Sequence, residues 1–314
     1  MPKGKLCVTG AAGFIGMDLV AKATKLGYET FALDAFRGGL YSSEIKRKRA
    51  ENIRSQFGIE VLEIDLADDS LSLPDDVTHV IHAAAMPGLS FSWKQPNQYI
   101  IDNERATLNL IKATEKLELQ KFVFISTSSV YGEYAEGTED STPNPVSPYG
   151  LTKLAAEKLV DLYMPHIAPF STARLFSVYG PGQRPDMGYF KFIDSALRDL
   201  PIKVYGDGSQ SRSNTFITDA IDGIFGVLEH GRNEEIYNIG GGEEIHLLDA
   251  IDIIYSIAGK MPNLEHIEPR AGDQQRTRAN TEKAKRDFGY EPDTSFIEGI
   301  SQQFEWQKVT GIIR

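Results

Sequence analysis

The chain has 314 residues, 41% of them hydrophobic and 25% charged, with a formal net charge of −11 and a single cysteine, Cys7. That length allows one large or two modest domains with a sizeable core. The acidic balance argues against non-specific binding to nucleic acid or an acidic membrane, one cysteine excludes an internal disulfide, and no apolar run approaches the ~20 residues of a membrane-crossing helix.

The opening "MPKGKLCVTG" is too short an apolar run for a secretory signal, so a cytoplasmic location is expected. Residues 5–10 ("KLCVTG") read as a buried strand ending in glycine. Residues 13–27 follow with apolar positions at helical spacing and a glycine stop at Gly27. Further strands are predicted over 29–34, 59–66, 79–85, 121–127 and 170–180, and a helix with a broad apolar stripe over 102–117. Strands that are continuous apolar runs and alternate with helices predict an α/β, doubly wound parallel sheet. After about Pro181 the pattern weakens. Short strands at 202–206 and 235–240 predict a smaller α/β lobe over 181–314 beside a first domain over 1–180, with segments crossing between the two.

The loop "TGAAGFIG" lies between the first strand and the first helix. Gly10 suits a tight turn, Gly13 a close approach of a pyrophosphate, and Gly16 close packing of helix on sheet. The helix start behind them offers free N–H groups to phosphates. Asp34 ends the second strand, where a carboxylate can accept hydrogen bonds from an adenosine ribose and would repel a 2′-phosphate. NAD is therefore favoured over NADP. A turn-capping role for Asp34 stays open, as does a phosphate role for nearby Arg37. Asp65 and Leu66 end the third strand near an expected adenine, although Asp65 also suits a plain loop cap.

Residues 144–153 read "NPVSPYGLTK". Tyr149 and Lys153 are four apart and share a helix face. A nearby ammonium lowers a phenol's pKa, and such a tyrosine can act as a general base on a hydroxyl. The strand end before them carries Ser126, Thr127, Ser128 and Ser129, where ligands of doubly wound sheets bind.

These motifs, with "HAAA", "STSSVYG", "RLFSVYGPGQRPDM", "GDGSQSR", "PRAGD" and "NTEKAKRDFGYEP", resemble an extended short-chain dehydrogenase/reductase of the nucleotide-sugar epimerase and dehydratase group over nearly the whole chain. The resemblance implies a tightly held NAD in a Rossmann domain, contacted by Gly10, Gly13, Phe14, Ile15 and Gly16. It adds Asp34, Asp65, Leu66, Ala84 and Asn103, the last as support for the active-site network. It implies Tyr149 as base, Lys153 on the nicotinamide ribose and lowering the Tyr149 pKa, Thr127 on the substrate C4 hydroxyl, and Ser128 beside the substrate. It also implies a homodimer built on the 102–117 helix and the helix that carries Tyr149.

Dehydratases of this group carry acidic residues where this chain has Ser128 and Ser129, and the similar decarboxylases have a glutamate here. Epimerisation at C4, by oxidation, rotation of the keto sugar and re-reduction, is the remaining expectation. Residues 177–187 ("SVYGPGQRPDM") most resemble UDP-glucuronate 4-epimerases. Arg184 is thereby expected to pair with the C6 carboxylate, with Ser177 beside it. A solvated Arg184 and a Ser177 bonded to its own loop are the bland alternatives. Ser90 departs from that resemblance, since an arginine is usual there. Arg212 and Arg270 match positions that bind the UDP pyrophosphate. Tyr205 and Phe192 suit either the uracil or the core. Rival readings are a UDP-glucose or UDP-N-acetylglucosamine 4-epimerase, a sugar reductase that releases NAD(P), and a non-catalytic NAD-binding regulator. The six histidines show no metal-ligand spacing, and His82 is expected to pack beside the cofactor.

Overall fold

The computed structural model describes residues 3–241, 243–270 and 272–311. A seven-stranded sheet forms its centre, and every pairing in it is parallel. In chain order the strands are Lys5–Thr9, Glu29–Asp34, Val61–Glu63, Val77–His82, Lys121–Thr127, Phe170–Leu175 and Glu235–Ile239. Across the sheet they lie seventh, sixth, fifth, fourth, first, second, third. The order reverses between the fourth and first strands, and a doubly wound sheet opens its crevice at the carboxyl ends beside such a reversal. Both faces are covered. Leu6, Val8, Val123 and Ile125 join one apolar layer, while Cys7, Phe122 and Phe124 join the other. This explains why the strands read as unbroken apolar runs.

Several boundaries differ from expectation. The third strand pairs over only Val61–Glu63, because it is the sheet edge with a neighbour on one side. The fourth strand stops at His82, and Ala83–Ala85 form loop. The sixth stops at Leu175, and Val178–Tyr179 pairs instead with Thr215–Phe216. The 102–117 helix starts earlier, at Pro96, passes through a π-helical turn at Ile100–Arg105 and continues as Ala106–Thr114. That turn buries both Asp102 and Asn103, the kind of local widening that recurs at functional sites.

A helix at Ser43–Phe57 was not expected. Its buried residues are Ile45, Arg49 and Ile53, a narrow stripe with an arginine in the middle. The Glu235–Ile239 strand, expected among the second lobe's short strands, pairs in register with the sixth strand and completes the main sheet. It is a segment crossing back. A second sheet orders Glu244–His246, Ser211–Ser213, Arg276–Thr277 and Tyr134–Ala135, so it also joins later segments to an early one.

Candidate active site

A cleft of about 610 Å³ opens at the carboxyl ends of the strands. Its floor is the glycine loop. Gly10 has φ +69°, and a Cβ there would lie 2.8 Å from the Ala84 Cα. A Cβ on Gly16 would lie 2.0 Å from the Gly10 carbonyl oxygen, and one on Gly13 would lie 3.0 Å from it. No side chain caps the Phe14–Leu26 helix, so its first N–H groups stay open. Phe14 and Ile15 line the same floor.

Asp34 is only 4% exposed. Its Oδ2 accepts from the Ala12 N–H at 3.2 Å, its Oδ1 from the Phe36 N–H at 2.7 Å, and the Lys46 ammonium stands 3.3 Å away. The carboxylate therefore faces the loop with a fixed orientation. Arg37 is not free to take a phosphate. It pairs with Asp65, and through Nε with Asp102 at 3.1 Å. Asp65 also accepts from the Ala67 N–H at 2.9 Å, which is the loop-cap arrangement, while it and Leu66 line the cleft.

Tyr149 and Lys153 stand on the Pro148–Tyr163 helix. Ser147 caps it by accepting from the Gly150 N–H at 3.1 Å, and Pro148 takes the first turn. Gly150 lets this helix start approach the Thr127–Ser129 loop, since a Cβ would lie 2.6 Å from the Ser129 carbonyl oxygen. The serine, proline and glycine of "SPYG" thus set Tyr149 beside Thr127. The Tyr149 ring lies deep among protein atoms with one side on the cleft, and it meets Tyr99 edge-on at 6.2 Å. Burial raises its pKa. The nearby Thr127 hydroxyl and the charge of Arg184 pull it back.

Lys153 was expected to supply that pull. It is 2% exposed, donates to the Ile125 carbonyl at 2.7 Å and lies 4.1 Å from the centre of the Phe124 ring. Burial pushes its pKa down to about 7, against the opposing charge of Glu157. Glu157, one turn further along, binds Ser126 and forms a buried pair with Arg174 at 2.7 Å. That pair pins the helix to the sixth strand.

Ser128, Ser177, Arg184, Arg212 and Arg270 also line the cleft. Arg184 forms a two-point pair with Asp186, Nε to Oδ1 at 3.0 Å and Nη2 to Oδ2 at 2.9 Å. Arg212 donates to the Ser211, Gln274 and Gln275 carbonyls, an arrangement that ties the second sheet together. Arg270 pairs with Asp273 at 2.9 Å and lies 3.9 Å from the centre of the Tyr205 ring. Tyr205 thus backs Arg270, and Phe192 packs on Tyr189; neither is among the cleft-lining residues. Ser90 is exposed at the cleft edge.

Two expected cofactor neighbours stand behind the wall. Asn103 accepts from the Met86 N–H at 2.7 Å and donates to the Met86 carbonyl and the Thr152 hydroxyl, so its amide joins the fourth strand's loop to the Tyr149 helix. His82 is not itself among the cleft-lining residues. It is fully buried between Thr9 at 2.8 Å and Thr107 at 3.0 Å, and burial holds its pKa down to about 3. Thr9 in turn accepts from the Ala84 N–H, so a neutral His82 braces the loop. Sequence reasoning missed Lys46, Asp186 and Lys191, which all line the cleft. For Asp186 the signal was present in "RPDM".

Among the described residues, no group of three or more His, Cys, Asp or Glu could hold a metal, and no helix is long and apolar enough to cross a membrane.

The profile of the NAD dependent epimerase/dehydratase family matches residues 6–240. A UDP-glucuronate 4-epimerase of Thermodesulfobacterium geofontis is 33% identical over 97% of this chain and 96% of its own length. A Bacillus subtilis protein described as an uncharacterized UDP-glucose epimerase is 37% identical over 96% of this chain and 97% of its own. The crystal structure of UDP-glucuronic acid 4-epimerase from Bacillus cereus, in complex with UDP-glucuronic acid and NAD, superimposes with a TM-score of 0.94. It is 36% identical, and the match covers 98% of this chain and all of that one.

Proposed function

The chain belongs to the NAD dependent epimerase/dehydratase family, and we propose that it is an NAD-dependent UDP-sugar 4-epimerase whose substrate is UDP-glucuronate. The floor fits the cofactor: the closeness of Gly10, Gly13 and Gly16 to backbone leaves no room for side chains, and an uncapped helix start faces the site. Asp34 would hold the adenosine ribose, and the commitment of Arg37 to two carboxylates supports NAD over NADP. NAD, when bound, accepts a hydride from the sugar's C4 and later returns it.

In this reading Tyr149 takes the proton of the C4 hydroxyl, and Thr127 holds that oxygen. Lys153 holds the nicotinamide ribose and fixes the reacting geometry. Serines at 128 and 129 offer no acid for removing water, which supports epimerisation over dehydration. Arg212, Arg270 and Lys191 supply positive charge for the pyrophosphate end. The observation that carries the substrate is Arg184, which lines one cleft with Ser177 and lies near enough to Tyr149 for its charge to act on the phenol. A cation there suits a C6 carboxylate. Ser90, at the cleft edge where an arginine is usual, favours a second reading in which UDP-glucose is the substrate.

We also read residues 1–180 as the NAD-binding domain and 181–314 as the sugar-nucleotide lobe. A symmetric homodimer is part of the same proposal, supported by exposed Ile100 on the helix entered at Pro96 and by exposed Leu151, Leu162 and Tyr163 on the Tyr149 helix. A buried, unpaired Cys7 fits a reducing cytoplasm. The test is to incubate the purified protein separately with UDP-glucuronate, UDP-glucose and UDP-N-acetylglucosamine and to identify products by NMR. Conversion of UDP-glucuronate to UDP-galacturonate without added cofactor is expected. Conversion of the neutral sugars alone would overturn the substrate assignment.

A further inference from the structure

The two-point pair between Arg184 and Asp186 comes from a local turn. The Met187 N–H donates to the Arg184 carbonyl at 3.1 Å, which closes the four residues Arg184, Pro185, Asp186 and Met187. Proline at the second position presets that turn. Arg184 and Asp186 therefore meet on one side of it, and Met187 then starts the Gly188–Arg198 helix. Both side chains line the cleft, 15% and 18% exposed.

A guanidinium has two edges that can each take a carboxylate. Asp186 occupies the edge made by Nε and Nη2. The edge made by Nη1 and the second Nη2 proton has no hydrogen-bond partner among the described residues, and Nη1 is not among the buried unpaired atoms. We infer that Asp186 is a positioning residue for acidic-sugar specificity: it clamps one edge of Arg184 so that the other edge is presented to the substrate carboxylate. The inference rests on the UDP-glucuronate reading above. It assigns "RPDM" a single purpose, a cation whose direction is fixed before substrate arrives. An unclamped arginine would have to order its side chain on binding, and preorganisation removes that cost. The clamp also bears on product. After oxidation at C4 the substrate is a β-keto acid, which loses CO₂ when the breaking C–C bond aligns with the carbonyl π system, the electron pair passing into an enolate that then takes a proton at C5. A fixed guanidinium holds the carboxylate away from that alignment.

The test uses the NAD-loaded protein. In a Tyr149→Phe background, which permits binding without turnover, Asp186→Asn should raise the Kd for UDP-glucuronate about tenfold, roughly the worth of one charge-assisted hydrogen bond. The Kd for UDP measures the pyrophosphate end and should not follow. Asp186→Glu should recover part of the loss. Arg184→Ala combined with Asp186→Asn should bind no worse than Arg184→Ala alone, a non-additivity that a merely structural role would not produce. With Tyr149 intact, Asp186→Asn should raise the ratio of decarboxylated 4-keto-pentose to epimer, read by mass spectrometry. A tighter or unchanged Kd, or additive losses, would overturn the inference. Wild-type protein that neither binds UDP-glucuronate more tightly than UDP-glucose nor turns it over would overturn the substrate reading together with it.

Discussion

The two ends of the cleft are made of different material. At the cofactor end the walls are backbone: three glycines packed on one another, an open helix start and one carboxylate held by two N–H groups. Where the sugar nucleotide is proposed to lie they are long charged side chains already engaged with their neighbours, Arg184 with Asp186, Arg270 with Asp273 and Arg212 with three carbonyls. A backbone wall has no rotamers to order and accepts one shape. A wall of paired charges can be re-aimed by a single substitution two residues away.

The sharpest test of this contrast acts at the seam. Tyr149→Phe should lower kcat by roughly 10²- to 10⁴-fold, the usual worth of a general base, while NAD still copurifies and the circular dichroism spectrum is preserved. Near-normal turnover would remove Tyr149 from the chemistry. Next in size is the backbone wall. Gly16→Ala places a Cβ against the Gly10 carbonyl, and overpacking of about 1–3 kcal/mol should weaken NAD binding up to about a hundredfold. Retention of NAD through gel filtration at wild-type stoichiometry would show that the loop yields. Arg184→Ala should be milder and confined to one end, raising the KM for UDP-glucuronate about tenfold with NAD affinity unchanged. A parallel loss of NAD would break the division between the ends.

A separate effect, on stability and not on binding, is one of pH. The buried Lys153 titrates near 7 rather than at its ordinary 10.5. Between those values the unfolded chain binds more protons at this site than the folded one, so the site's contribution to stability increases as pH rises from about 7 toward 10.5. Urea unfolding of NAD-free protein should show wild type gaining on Lys153→Met across that window, by about 1.4 kcal/mol per pH unit at most. Parallel profiles would mean that Lys153 keeps an ordinary pKa.

The same contrast explains what the sequence revealed. A glycine-spaced loop, apolar strands and a helix carrying Tyr149 and Lys153 are local features, and they can be read from spacing alone. The Ser43–Phe57 helix escaped because Arg49 sits in its buried stripe, where it donates to the Gly182 carbonyl and is 6% exposed. Long-range contact, invisible to periodicity, makes that position apolar in effect. His82 and Asn103 stand at strand and helix positions next to the site, but their partners Thr9, Thr107, Met86 and Thr152 lie on four separate segments, so only the fold could show that they brace the wall from behind. The Glu235–Ile239 strand reads as one more short strand until its pairing with Phe170–Leu175 is seen.

Cys7 lies in the first strand at the middle of the sheet, with no exposed surface and its thiol pushed up to about 12 by burial. A thiol reagent reacts with the thiolate and needs access, so the intact molecule is silent toward it. As the sequence has no other cysteine, each labelled molecule reports one opening of the sheet's centre. The protein thus carries a built-in clock for its own opening, and its rate with and without NAD measures how far the cofactor holds the two halves of the sheet shut.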